Sequence, residues 1–445
     1  MRFANFPLYL LLLAGFYFNE NRGHFNKFVV LYAALVIGLQ IWAWRRESSD
    51  ALSKPLSVGD SETNAMLAGG LCFFTLLNAI RPQVIYAEMV PAYFLFRAVN
   101  VALALLCFDL FRKIRVQGSA FPETRFRNFV SWALGLGALA QILVIPSSPN
   151  PFIDVYRSNT AAVDYLFQGL NPYLQNYPDI YKGGYDYKPG FLYFPGTLYW
   201  LAPFRFFFGD IRFSFVFANF IALAALWKLG ELRQVSFRRR CLFVLIWMNF
   251  PVTYFVIEQA WTDPSLIALG FWTFWAVERS RILSAGALMG GLFALKQYAF
   301  VISWVGWLRV LRNRGWKKAC VAAGVALLVI FICMAPFVYW DWTSLFFSTV
   351  KNQSDPAPRM DALSMTAFWG RIVGWVPPAK FTSGMGVFGI GLGSIMALSP
   401  KGRSLSASFL ALFVAYGFAF IWGKWAFCNY HYLHASFLIA YILTR

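Results

Sequence analysis

Apolar runs of about 16 to 24 residues recur along the whole chain, separated by short connections that carry most of its charge. A helix of that length crosses a hydrocarbon layer of roughly 30 Å, and it satisfies its own backbone N–H and C=O groups where no water can. The chain is 59% hydrophobic and 13% charged over 445 residues. A water-soluble domain of this length would have too little polar surface. We therefore expect an all-α polytopic membrane protein of about 14 spans. They fall near 5–18, 27–44, 64–81, 88–111, 128–146, 211–229, 241–257, 264–278, 283–295, 297–309, 318–340, 382–398, 404–422 and 426–443.

The net charge of +19 is distributed as membrane topology demands, not as a nucleic-acid patch. Basic residues cluster in short connections: Arg45-Arg46, Arg112 to Arg115, Arg238 to Arg240, Arg309 to Lys318, and Lys401 with Arg403. Placing these in the cytoplasm puts most of the net charge there, the positive-inside pattern, with both termini cytoplasmic. Two segments must then depart from simple crossing. The stretch 282–309 is basic at both ends and too short for two full spans, so it reads as two short helices broken near Lys296-Gln297, with the break facing outward. The stretch 191–208 starts and ends outside. Its aromatic residues, Pro195 and Pro203 suit a helix lying in the outer interface. No cleavable signal peptide is expected, since only Arg2 precedes the first run. The six Cys (72, 107, 241, 320, 333, 428) form no CxxC pair and read as apolar packing residues.

One polar segment interrupts the apolar runs, from Phe152 to about Phe208, within an outer loop over 147–210. It holds Asp154, Asp164, Asp179 and Asp186 among many Tyr. Asp154 follows Pro149-Asn150-Pro151 directly after a span and opens a helical pattern that Gly169 and Asn171-Pro172-Tyr173 end. Asp154, Arg157, Ser158, Ala161, Asp164 and Tyr165 share one face. Val155, Ala162, Val163, Leu166 and Phe167 share the other. This predicts an amphipathic surface helix with a carboxylate at its start. That carboxylate is either a reacting group or an N-cap, for which Asp is favoured.

Further polar groups stand at the same outer level. Lys296 ends GALMGGLFALK, where Gly286, Gly290 and Gly291 allow close helix packing; a Lys there either reaches an anion or snorkels to the boundary. Lys424, His431 and His434 lie near the outer end of the last span. A metal pair lacks a third ligand, so ordinary packing of these residues outweighs it, and a Lys/His pair on a phosphate also fits better than a metal. Gln259 and Asp263 lie between two spans, where Asp263-Pro264 suits a helix start and capping competes with a substrate contact. The connection 341–381, with Lys351, Asp355, Arg359, Asp361 and Arg371, is long for a membrane protein. Arg97 needs a partner or a water-filled cavity.

Asp154-Val155-Tyr156 just after a span, the small and apolar residues that follow, and Asn171-Pro172-Tyr173 resemble the first outer loop of GT-C superfamily glycosyltransferases. Tyr187-Lys188-Pro189-Gly190 with Leu192-Tyr193 and Pro203 resembles the stretch that closes that loop. GGLFALK resembles the family's small-residue segment ending in Lys. The likeness covers about residues 128–310, with a weaker echo at 422–434. It implies a GT-C-type helical bundle, divided as an N-terminal four-span module (1–120), a catalytic membrane core (121–310) and C-terminal spans (311–445). It further implies a hexosyltransferase, mannosyltransferase-like, that uses a polyprenyl-phosphate sugar on the extracytoplasmic face. Its acceptor would be a lipid or glycan of the cell envelope, and its membrane a bacterial inner (plasma) membrane. Asp154 takes the place of the catalytic acid. Arg157, Lys296, Lys424 and His431 are candidates for the donor phosphate, and Tyr156, Tyr187, Lys188, Gln259 and Asp263 for substrate contacts. Two departures stand out. Four spans precede the span that should open the fold, and no second acid follows Asp154. The single acid favours a metal-free reaction without a cofactor.

The chemistry is consistent with one carboxylate. A base takes the acceptor hydroxyl proton while the oxygen attacks the anomeric carbon, which inverts without a covalent sugar intermediate. The leaving phosphate needs cations. Two other readings compete: an O-antigen ligase or polymerase using diphosphate-linked glycans, and a lipid-linked-sugar transporter or flippase, which would place charges along several span centres.

Overall fold

The computed structural model describes residues 11, 24–46, 60–184 and 187–445. The expected span at 5–18 lies outside them apart from Leu11, and so does Asp186. Every regular element among the described residues is helical. The helices are α1 (Lys27–Arg46), α2 (Asp60–Ile80), α3 (Pro91–Gln117), α4 (Glu123–Ser147), α5 (Asp154–Phe167), α6 (Pro195–Phe208), α7 (Phe213–Leu232), α8 (Phe237–Met248), α9 (Thr253–Glu258), α10 (Asp263–Glu278), α11 (Ile282–Leu295), α12 (Phe300–Arg314), α13 (Trp316–Phe346), α14 (Ala379–Leu398), α15 (Leu405–Ile421) and α16 (Cys428–Thr444). Seven stretches among the described residues are long and apolar enough to cross a membrane: those on α1 to α4, α7, α13 and α14. This is a membrane-embedded helical protein.

The chain divides into two compact units. The first holds residues 1–149, 223–256 and 359–445, and the second 150–222 and 257–358.

In the first unit α2 packs on α3, α3 on α4, α14 on α15, and α15 on α16. The expected single span 241–257 is broken here. Helix α8 stops at Met248, and α9 begins only at Thr253. Pro251 explains the break, because it has no N–H to donate and disfavours a helical Phe250. The carbonyls this leaves are met by side chains from neighbouring helices. Gln141 Nε2 donates to Met248 O at 3.0 Å and Asn78 Nδ2 to Asn249 O at 3.0 Å. Irregular backbone deep in an apolar bundle is tolerated on that condition.

In the second unit α11 is the central rod, contacting α6, α10, α12 and α13. Gly286 and Gly290 lie one turn apart, and a Cβ at either would come within 2.5 Å of a carbonyl oxygen of α13, Ala322 or Ala326. Two glycines facing two alanines let the backbones touch, as the small-residue pattern predicts. Gly291 does not share that seam and faces Leu269 of α10. Gly315 (φ +83°) makes the connection between α12 and α13 in one residue, in a conformation glycine adopts without a Cβ clash.

Three further expectations meet the structure. Helix α6 runs from Pro195 to Phe208 and closes on Gly209 in the left-handed conformation, close to the expected 191–208. The expected span 318–340 continues to Phe346 across a non-helical Asp341, whose carboxylate accepts the N–H of Ser344 at 2.9 Å and starts the second piece. The connection 341–381 is therefore not an extended loop: helical turns continue over 347–354 and return over 365–373.

Candidate functional site

Helix α5 starts at Asp154, as its sequence pattern predicts, but Asp154 is not its N-cap. Ile153 occupies that position in an extended conformation and contributes no side-chain cap. The Asp154 carboxylate sits in the first turn, where the helix dipole favours an anion. It accepts the N–H of Val155 at 2.8 Å, the hydroxyl of Tyr181 at 3.4 Å and the hydroxyl of Tyr187. No Lys or Arg pairs with it among the described residues. The buried face of α5 also differs from the expected one. Asn159, Ala162 and Val163 are buried, whereas Phe167 is exposed. The inward stripe is thus rotated toward the polar side, and Asn159 has neither amide atom bonded to another described group.

The other described acids of the segment, Asp164 and Asp179, are committed elsewhere. Asp164 forms a two-pronged pair with Arg205 of α6, at 2.8 and 2.9 Å, and that pair pushes the Arg205 guanidinium further up. Asp179 accepts the backbone N–H of Tyr181 at 2.9 Å and of Gly183 at 2.5 Å, holding a turn in which Lys182 and Gly183 have positive φ. Asp210, which sequence reasoning did not single out, pairs with the buried Arg212 at 2.6 Å. That guanidinium lies over the ring of Tyr156 at 4.7 Å, and the Tyr156 hydroxyl faces Asp210 at 3.4 Å. Burial, reinforced by the Asp210 charge, pushes the Tyr156 hydroxyl up, so it remains protonated at neutral pH.

A cleft lies over Asp154, lined by Ser158, Tyr181, Tyr187, Gly190 and Tyr193 among others, with room for about 40 Å³. That accommodates a few water molecules and not a sugar. Its far wall is fixed by long-range bonds that the sequence does not announce. Asn352 bridges the backbone of Lys188, accepting its N–H at 3.0 Å and donating to its carbonyl at 2.7 Å. Gln297 and Gln353 both donate to the carbonyl of Leu192, at 2.8 and 2.5 Å. Tyr173 donates to the carbonyl of Tyr193 at 2.8 Å.

Lys296 stands where the sequence predicts the helix break, between α11 and the turn 297–299, in extended conformation. Its ammonium does not reach an open surface. It pairs with Asp263 at 3.3 Å, with side-chain exposures of 4% and 0%. Tyr298 donates its hydroxyl to the other Asp263 oxygen, and the ammonium also lies over the rings of Tyr193 and Tyr298 at 5.1 and 4.7 Å. Asp263 is the first residue of α10, while the N-cap is Thr262, so capping does not account for its carboxylate. Tyr193 belongs both to this cluster and to the Asp154 cleft.

The other expected site residues divide between surface and interior. Arg157, one turn after Asp154, is exposed and stacks over Phe152 at 5.3 Å. The Lys188 ammonium lies 5.9 Å over Phe347. Gln259 is buried and accepts the indole N–H of Trp261 at 3.2 Å, while its Nε2 meets no described partner. Lys424 and His431 belong to the first unit. The Lys424 ammonium lies over Trp425 at 5.2 Å. His431 is buried, with Nε2 3.0 Å from the carbonyl of Leu363. His434 stacks on Phe413 with ring centroids 3.9 Å apart. Among the described residues no group of three His, Cys, Asp or Glu is placed to hold a metal ion.

Comparison with protein-family models, curated proteins and solved structures finds no match to this chain.

Proposed function

We propose that the chain is a glycosyltransferase that moves a hexose from a polyprenyl-phosphate donor to a lipid or glycan acceptor at the extracytoplasmic face. The observation that carries this reading is the Asp154 carboxylate. Of the four described acids in 150–212, it alone lacks an Arg partner and lies outside a backbone turn; it receives two hydroxyl groups instead. A group that receives the Tyr187 hydroxyl has the geometry to receive an acceptor hydroxyl in its place.

In the proposed reaction the acceptor oxygen attacks the anomeric carbon as Asp154 takes its proton. The bond from that carbon to the phosphate oxygen breaks, the configuration inverts, and polyprenyl phosphate departs. Arg157, exposed one turn along α5, is the proposed cation for the departing phosphate. Lys296 fits a positioning role better than phosphate contact, because its charge is already answered by Asp263. Tyr193 links that pair to the cleft.

The test is transfer from polyprenyl-phosphate hexoses to a panel of lipid and glycan acceptors, comparing wild type with Asp154→Asn. Transfer by the wild type and its loss in the variant are expected. Near-normal transfer by Asp154→Asn removes the base assignment. Consumption of diphosphate-linked glycans alone would replace this reading with a ligase, and movement of lipid-linked sugar across vesicles without transfer would replace it with a transporter.

A further inference from the structure

The second unit is strongly basic at the end of α11 remote from Lys296, and the transferase reading does not use that end. Two connections meet there, from α10 to α11 and from α12 to α13. The residues flanking them, Val277, Ala285, Val310 and Ala319, share one apolar core. Seven Lys and Arg stand in these connections, over 279–281 and 309–318, and Glu278 is the one acid between Asp263 and Asp341. Glu278 is engaged within the unit: its carboxylate accepts Arg309 at 2.5 Å, and its carbonyl accepts Arg314 at 3.0 Å. Arg279, Arg281, Lys317 and Lys318 are exposed.

The glycine seam fixes how these cations are arranged. Gly286 of α11 meets Ala322 of α13, and Gly290 meets Ala326, so the two helices run parallel with an offset of 36 residues. The same register sets Arg281 level with Lys317 and Ile282 level with Lys318. Arg281 is the N-cap of α11, and Lys317 and Lys318 are the second and third residues of α13. A helix start favours acids, yet neither helix has an acid in its first turn. Arg279, Arg312 and Arg314, by contrast, lie at the ends of α10 and α12, where the dipole favours cations. The positive-inside rule accounts for the sign of this end, but the three cations at helix starts add to a potential that is already positive. Such a surface complements phosphate. Its level in the membrane is set by α13, one of the helices long and apolar enough to cross, whose first residues fall where phospholipid headgroups lie. Trp316 and Leu283, 65% and 63% exposed, place apolar surface within a turn of the cations, as a lipid with a charged head and acyl tails requires.

We propose that this surface binds the headgroup of an anionic phospholipid through Arg281, Lys317 and Lys318. The inference does not rest on the transferase reading, and its test does not use transfer activity. Full-length protein in detergent is titrated with dioleoylphosphatidylglycerol, with dioleoylphosphatidylcholine and with inorganic phosphate, and the first binding event is read by native mass spectrometry. Phosphatidylglycerol should bind at least about 10-fold more tightly than phosphatidylcholine, whose choline offsets its phosphate. Each cation near a lipid surface contributes about 5-fold, so Lys317→Gln/Lys318→Gln should weaken phosphatidylglycerol binding about 25-fold and Arg281→Gln about 5-fold. Lys317→Arg/Lys318→Arg keeps the charge and should keep the binding. Arg112→Gln/Arg115→Gln removes two charges from a basic cluster of the other unit and should leave it unchanged. All the substituted side chains of the surface are exposed, and only variants that elute as a single monodisperse species are compared; Arg281→Gln decides the matter if the double variant misfolds. Equal binding of both lipids, or a loss in Arg112→Gln/Arg115→Gln as large as in Lys317→Gln/Lys318→Gln, overturns the proposal. Binding of inorganic phosphate that depends on the same residues, without any lipid preference, overturns it in favour of a free anion.

Discussion

Lys296→Met should destabilise the protein by about 3–5 kcal/mol, although Met is the more apolar residue in an apolar bundle. The magnitude follows from the Asp263 pair. At 3.3 Å the two charges attract by roughly 5 kcal/mol at an effective dielectric of about 20. Much of that attraction offsets the cost of bringing both charges out of water, so the intact pair adds little net stability. Removing only the ammonium leaves a fully buried carboxylate supported by the Tyr298 hydroxyl. That hydroxyl places the expected loss toward the lower end of the range. The double variant Asp263→Asn/Lys296→Met removes both charges and should recover about 1–3 kcal/mol relative to the sum of the single losses. Reversible unfolding of the full chain in mixed micelles, by titration with a denaturing detergent, measures all four corners of this cycle. Additive losses, or a Lys296→Met variant within about 1 kcal/mol of wild type, would refute the reasoning. The ammonium would then be reaching water or an anion instead of Asp263.

Other substitutions test separate parts of the structure. Asp154→Asn should reduce hexose transfer at least about 100-fold with little effect on unfolding. Asp164→Asn, which breaks a part-exposed pair, should cost no more than about 1 kcal/mol and leave most transfer intact. Gly290→Val should lower the unfolding midpoint by the equivalent of about 1–3 kcal/mol, because α13 must move away from α11. Gln141→Leu removes the donor to the Met248 carbonyl and should cost about 1–3 kcal/mol by the same unfolding measurement. An unchanged midpoint would mean that another donor meets that carbonyl.

Much of the helical layout was legible because membrane spans announce themselves locally. The start of α5 at Asp154, the end of α6 at Phe208 and the break at Lys296 all follow from short-range chemistry. The break after Met248 also had a local sign, Pro251, which the strong apolar pattern on either side outweighed. The cap readings of Asp154 and Asp263 went astray by one position, since an acid at the first helical residue and one at the cap look alike in sequence. What sequence could not show is which polar groups meet. Asn352 meets Lys188 across 164 residues, and no periodicity encodes that. Lys296 looked available for a phosphate because its partner lies 33 residues earlier on another helix.

The seam between α11 and α13 reverses the usual scale of conservative replacement. At Gly286 and Gly290 the neighbouring group is a carbonyl oxygen, so the limit there is size and not polarity. Serine at these positions is expected to be better tolerated than valine, though valine suits lipid better. Gly196 extends the same limit to α6, where a Cβ would meet the carbonyl of Ala294 at 2.5 Å. Thr197 next to it donates to the carbonyl of Leu295 at 2.7 Å. The end of α11 that leads into Lys296 is thus held by contacts that admit almost no added volume. A redesign of this protein for other solvents could change most of its outer surface freely, but it would have to leave these few small residues small.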